Sequence, residues 1–166
     1  MKLTSTSFAD GQKIPGEFAF CIPNPDHHVC LGSNRNPQLA WSGAPAGTRS
    51  FAVICHDPDV PSKGDDVNQE GRGVPASLPR VDFFHWVLID LPVAVNELKE
   101  GEFSDDVTPR GKPGPQAPYG ARQGITITPT GSPATTTCAV TTTATTAPAR
   151  HGTTKSSITT CSPSMR

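Results

Sequence analysis

Short apolar runs, separated by proline and glycine, fill residues 1–124. The segment EFAFCI at 17–22 alternates in polarity and carries aromatic residues, and PQLAWSG at 37–43 ends on a Ser-Gly turn. Both segments predict short β-strands. The run SFAVICHD at 50–57 is almost continuously apolar, which is the pattern of a strand buried on both faces.

The longest apolar run is VDFFHWVLIDL at 81–91, and it predicts the strand at the centre of the sheet. Only VNELKEGEF at 95–103 has a pattern typical of a helical turn. The proline-rich segment TPRGKPGPQAPYGARQG at 108–124 predicts an ordered surface loop, because proline has no N–H to donate to a β-ladder. Together these elements predict an all-β fold, an antiparallel β-sandwich.

Charge and hydropathy exclude several classes of function. The formal net charge is −1, so the chain has no basic face to predict a nucleic acid partner or a polybasic membrane patch. No run of about 18 apolar residues is present to span a membrane. The first residues carry no apolar signal-peptide region, and we therefore expect a cytoplasmic protein.

The five cysteines show no C-x-x-C pairing. Cys55 lies within an apolar run, which predicts a buried thiol. Cys21 and Cys30 are expected to stay unpaired in a reducing compartment.

Polar residues interrupt two of the apolar runs where they could carry chemistry. Asp57 and Asp59 flank a proline in HDPDVPSK, and residues two apart in an extended chain point to the same face. His85 lies among aromatic neighbours in DFFHWVL. Each feature also has a structural explanation: DPD as an Asx-capped turn, and the histidine as a hydrogen-bonded core residue. Taken together they favour a small polar ligand site, whereas a metal site would need more ligands at recognisable spacing.

The segments HDPDVPSK, DFFHWVLIDLP and GKPGPQAPYGARQG, in this order and spacing, resemble the phosphatidylethanolamine-binding protein family. The similarity is to its bacterial Raf-kinase-inhibitor-like branch, of the YbhB/YbcL type. The opening LTSTSFADGQKIP and the segment NPQLAWSGAPAGTRSFAVICHDPD are also similar to that branch, so the resemblance covers residues 1–124. It implies a β-sandwich with a small surface pocket for anionic, phosphate-like groups.

The resemblance also implies which residues bind the ligand: Asp57, Asp59, Pro61, Phe83 and His85. A protonatable histidine can meet a phosphoryl oxygen, and an aspartate can orient that group or bind an ammonium headgroup. The implied partners are a small anionic, phosphoryl-bearing ligand or a phospholipid headgroup, and a kinase as the protein that is modulated. No cofactor and no metal are implied.

The composition changes abruptly after Gly124. Residues 125–166 contain 15 threonines and no acidic or aromatic residue. The family completes its pocket in this region with a GPxPP loop and an HxY strand, and neither motif is present here.

A shift of reading frame accounts for the threonines. Threonine codons begin with A-C, so a residue followed by threonine decodes, one base out of register, to Tyr, His, Asn or Asp. In that frame the tail permits Y-Y-G-Y-D-G-P-C-P-P, and KSSITTCSPSM at 155–165 permits I-I-H-H-Y-V-F-T-V-Y. Both missing motifs are among the permitted strings, in the family's order. The hypothesis is that residues from about Thr126 onward follow a single-base deletion.

The predicted organisation is therefore a β domain at 1–124 and an out-of-frame, disordered tail at 125–166. As written, the chain keeps one wall of the pocket and lacks the opposite wall and at least one inner strand. The sandwich is therefore expected to be incomplete at the C-terminus and its binding defective. A Thr/Pro-rich disordered or O-glycosylated stalk is the alternative for the tail.

Two other functions stay open. A hydrolase would use Asp57 as base and His85 as its orienting partner, but no serine or cysteine lies in a nucleophile-elbow context. A non-catalytic protein-interaction module would bind its partner without the pocket.

Overall fold

The computed structural model describes residues 1–66, 71–108, 112, 114–124 and 155–161. Helical structure in these ranges is confined to two 3₁₀ turns, Gly16–Phe18 and Pro118–Gly120. All other regular elements are strands: β1 Lys2–Thr4, β2 Cys21–Asn24, β3 His28–Leu31, β4 Leu39–Ser42, β5 Ser50–Pro61, β6 Arg80–Pro92, β7 Glu97–Leu98, β8 Arg122–Gln123 and β9 Lys155–Cys161.

The strands form two sheets and a hairpin. One sheet has the order β1-β4-β7, the second has the order β8-β6-β5-β9, and β2 pairs with β3. Every described pairing is antiparallel. Apolar residues of both sheets share one core, in which the rings of Trp41 and Phe51 lie 5.4 Å apart. The predicted all-β antiparallel sandwich is confirmed.

The two longest apolar runs form the inner strands of the four-stranded sheet. β5 and β6 pair along most of their length, as the apolar run at 81–91 predicts for the centre of a sheet. Phe51, Ala52 and Val53 are buried in succession, so β5 is covered on both faces over this stretch.

The segment at 17–22 is predicted as one strand, and this is wrong for residues 17–20. The backbone N–H groups of Phe18 and Ala19 donate to the carbonyls of Pro15 and Gly16, at 3.0 and 3.1 Å. These two N–H groups donate within a 3₁₀ turn and are not available to a β-ladder. The strand therefore begins only at Cys21.

Two further predictions need correction. Within the segment at 95–103, Glu97–Leu98 form the two-residue strand β7, because fully buried Leu98 pairs with Leu39 of β4. The turn comes only after this strand, where the N–H of Glu102 donates to the carbonyl of Lys99 at 3.3 Å. Within the predicted loop at 108–124, Arg122–Gln123 pairs with β6 as a two-residue strand. In both cases tertiary pairing decides the local conformation.

Most of the threonine-rich tail lies outside the described residues, and so do the predictions of a shifted frame and of disorder for 125–154 and 162–166. Residues Lys155–Cys161 are described as β9, antiparallel to β5 and opposite Ser50–His56.

Cys55 is buried in the core, as predicted, and Cys21 and Cys30 are free thiols on β2 and β3. In the described part of the chain, no helix is both long and apolar enough to cross a membrane.

Candidate functional site

An irregularity in the β5–β6 ladder sets the position of His85. Cys55 pairs with Trp86 and His56 pairs with Phe84, so His85 is an extra residue on β6. Neighbours in a regular strand point to opposite faces, yet His85 and Trp86 are each only 2% exposed. A β-bulge re-aims a side chain in this way, and here it turns the imidazole toward the buried side of the sheet.

The bulge brings His85 next to Asp57. The distance from His85 Nε2 to Asp57 Oδ2 is 4.0 Å, at the outer limit of an ion pair. The Phe83 ring packs edge-on against the imidazole, with centroids 4.8 Å apart. Asp57 pairs with Phe83 in the ladder between β5 and β6. Asp57, Phe83 and His85 therefore form one cluster near the end of that ladder.

Asp59 and Pro61 lie outside this cluster. The backbone N–H of Asp59 donates to Asp57 Oδ1 at 2.8 Å, while the Asp59 side chain is exposed. This is the Asx turn that the DPD sequence allows. Pro61 pairs with Arg80 at the far end of the ladder. The structure thus brings Asp57, Phe83 and His85 together and joins Asp59 to them through its backbone.

The pKa of Asp57 lies below its ordinary value. The interaction with the His85 side chain, 4.0 Å away, is the largest cause, and partial burial opposes it. The N–H of Asp59 and the charges of His85 and His56 lower the pKa further. Asp57 is therefore held as a carboxylate.

This shift predicts a pH dependence of folding. A carboxyl group whose pKa is lower in the folded state adds stability above its unfolded pKa, and that stability is lost as the pH falls through the folded pKa. Between about pH 6 and pH 2, urea unfolding should show the wild type losing more free energy of unfolding than Asp57→Asn. Parallel curves for the two proteins would contradict the predicted linkage.

The outer face of β5 and β6 carries a second group of contacting side chains, which the sequence does not predict. His56 Nε2 lies 3.0 Å from Asp82 Oδ1, and the His56 ring stacks on Phe84 with centroids 5.1 Å apart. The contact between His56 and Asp82 cannot be predicted from the two apolar runs that contain them, because it depends on the register of β5 against β6.

The described residues contain no group of three or more His, Cys, Asp or Glu side chains that could hold a metal ion. What the cluster offers is a carboxylate, an imidazole and an aromatic wall. That combination suits hydrogen bonding to a small polar group.

The sequence is similar to known bacterial proteins. It is 37% identical to the UPF0098 protein YbhB of Escherichia coli K12 over 101 residues, which are 61% of this chain and 50% of that protein. It is 35% identical to YbcL of the same organism over 123 residues, 74% of this chain and 51% of that protein. The chain thus spans about half the length of the curated relatives it matches.

Solved structures are also similar. The crystal structure of E. coli YbcL, described as a new member of the mammalian PEBP family, is 27% identical with a TM-score of 0.44, covering 61% of this chain and 49% of that one. A putative phosphatidylethanolamine-binding protein homologue from Chlamydia trachomatis is 27% identical with a TM-score of 0.42, covering 63% of this chain and 54% of that one.

The sequence profile described as phosphatidylethanolamine-binding protein matches residues 4–133, which include both inner strands and the whole Asp57–His85 cluster. The match covers more than half of the 166-residue chain. The chain therefore belongs to the phosphatidylethanolamine-binding protein family.

Proposed function

We propose that this protein binds a small phosphoryl-bearing ligand at the cluster of Asp57, Phe83 and His85. Family membership supports a ligand-binding protein of this type. The observation that carries the proposal is the bulge that places His85 Nε2 4.0 Å from the Asp57 carboxylate, against the Phe83 ring.

The charges of the cluster restrict how such a ligand is held. An ionised Asp57 repels a fully deprotonated phosphate, so its partner on the ligand must be a hydrogen-bond donor. A phosphoryl O–H or an ammonium group meets this need. A protonated imidazole at His85 would in turn stabilise the negative phosphoryl oxygens.

The difference in burial supports different roles for Asp57 and His85 in this proposal. The Asp57 side chain is 17% exposed and the His85 side chain is 3% exposed. Asp57 is therefore the first contact for an incoming ligand, and His85 acts from behind it. Asp59 has an exposed side chain and Pro61 lies at the far end of the β5–β6 ladder, so both residues are secondary contacts in the proposal.

Asp57→Asn and His85→Gln should each weaken binding of inorganic phosphate by about tenfold or more, since a hydrogen bond to a charged group contributes roughly 1.5–3 kcal/mol. Isothermal titration calorimetry at pH 6 measures the effect. Asp10→Asn, an exposed carboxylate in the N-terminal segment, is the matched control and should bind like the wild type. Equal affinity in all four proteins would remove the cluster from the binding site.

The proposed role is binding without turnover. No hydrolysis of a chromogenic phosphate ester or carboxylic ester is expected, and turnover that is lost in His85→Ala would favour the hydrolase instead.

The modulation of a kinase and the cytoplasmic location stay predictions. A pull-down that compares wild type with Asp57→Asn would separate pocket-dependent partner binding from a pocket-independent interaction module.

A further inference from the structure

One face of β6 carries a row of side chains that leads away from the candidate site. Val81, Phe83 and His85 are two residues apart, and residues with this spacing lie on the same face of a strand. The contact between the Phe83 ring and the His85 imidazole, with centroids 4.8 Å apart, shows the shared face directly. The irregularity in the ladder beyond Asp57 adds its extra residue to β5, so β6 stays regular from Val81 to Phe83.

Exposure and polarity change together along this row. His85 is 2% exposed, Phe83 is partly buried and Val81 is 43% exposed. At about 3.3 Å per residue, the row passes from a buried polar group to an exposed apolar one over about 13 Å. A ligand whose polar end reaches His85 therefore has apolar side chains along the rest of its length.

Val60 adds an apolar side chain at the outer end of the row. It pairs with Val81 in the ladder, and directly opposite residues of an antiparallel pair point to the same face. Asp57 pairs with Phe83 in the same way. Phe83, Val81 and Val60 thus form an apolar strip that begins beside Asp57 and His85.

The charged neighbours of Val81 on β6 lie on the other face of the strand. Arg80 and Asp82 alternate with Val81, and the Asp82 carboxylate contacts His56 on the outer face, at 3.0 Å. Single exposed apolar residues are common on protein surfaces, but this strip is continuous with a polar pair that can hold a ligand. Its position favours a ligand that is polar at one end and apolar at the other.

We propose that the apolar strip is a specificity subsite, and that the ligand is a phosphate monoester with a short apolar substituent. The phosphoryl group meets Asp57 and His85, and the substituent covers Phe83 and Val81. This inference rests on the proposed function and narrows its class of ligand. Val81 is the last residue of the row within β6, which begins at Arg80, so the strip suits a short alkyl or aryl group better than a long acyl chain.

Isothermal titration calorimetry at pH 6 on the full chain compares four probes: inorganic phosphate, n-butyl phosphate, n-octyl phosphate and phosphoethanolamine. Butyl phosphate should bind about tenfold more tightly than inorganic phosphate, because its methylene groups leave water on contact with the strip. Octyl phosphate should bind within about twofold of butyl phosphate, since its additional methylene groups extend past Val81. Phosphoethanolamine has a charged substituent and should bind more weakly than butyl phosphate.

Val81→Thr tests the subsite itself. Threonine keeps the β-branched shape that suits a strand and replaces a methyl group by a hydroxyl group. The preference for butyl phosphate over inorganic phosphate should fall to about threefold in this variant. Val93→Thr is the matched control, because Val93 is 51% exposed and lies just beyond the other end of β6. It should keep the full preference.

The outcomes separate this inference from the proposed function. Equal preferences in the wild type and Val81→Thr would overturn the subsite, and so would tighter binding of phosphoethanolamine than of butyl phosphate. Both results leave phosphate binding at Asp57 and His85 intact. A large further gain with octyl phosphate would contradict the short substituent. If no phosphate compound binds, the proposed function fails, and the subsite fails with it.

Discussion

Replacing Asn36 by alanine is expected to lower the free energy of unfolding by roughly 3–5 kcal/mol, because several buried backbone groups lose their hydrogen bonds at once. Asn36 is 0% exposed. Its Oδ1 accepts from the N–H groups of Phe103 and Ser104, at 2.7 and 3.0 Å. Its Nδ2 donates to the carbonyls of Pro37 and Lys99, at 3.0 and 2.9 Å.

This amide connects the loop before β4 to the loop after β7, and it fixes the position of Phe103. The Phe103 ring in turn packs 5.3 Å from that of Trp86, the neighbour of His85 on β6. Loss of the Asn36 contacts should therefore also weaken the packing of Trp86, next to His85 of the proposed site.

Chemical denaturation of Asn36→Ala and of a matched variant, Asn24→Ala, measures the effect. Asn24 Oδ1 also accepts from two backbone N–H groups, those of Asp26 and His27, but in an exposed turn. Water can replace those contacts, so Asn24→Ala should cost about 1 kcal/mol. Equal losses in the two variants would show that burial does not set the contribution of Asn36.

Restoring one base beside the codon for Ile125 is expected to yield a protein that binds inorganic phosphate at least tenfold more tightly than the chain as written. Two additional hydrogen bonds to the ligand would suffice, at roughly 1–1.5 kcal/mol each. Strand β9 runs beside β5, and in the other frame the same stretch permits two histidines and a tyrosine. Under the frame hypothesis these residues are expected to supply part of the gain.

Sequencing of the gene and its transcript across the codons for Gly124, Ile125 and Thr126 is the first measurement. An extra base there would confirm the shifted frame. Calorimetry on the two proteins then tests the binding gain, with Asp57→Asn in the restored background as the control that should cancel it. The written frame in both gene and transcript, together with equal affinities, would contradict the frame hypothesis and favour a threonine-rich segment of the native protein.

Much of the fold follows from the sequence alone. The apolar runs at 50–57 and 81–91 are the longest in the chain, and they predict the two inner strands of the sheet. The polar end of the first run and the histidine inside the second indicate Asp57 and His85 as candidate site residues. The motifs HDPDVPSK and DFFHWVLIDLP led to the family that the profile match confirms.

Tertiary structure alone decided which side chains meet. Strand periodicity does not predict a bulge. In a regular strand His85 and Trp86 would point to opposite faces, whereas the bulge lets both be buried. His56 and Asp82 are 26 positions apart, and Asn36 and Ser104 are 68 positions apart. Contacts over such separations depend on strand register and loop packing. Those are properties of the assembled sandwich, because many residues jointly determine how the core closes, and no local pattern carries that information.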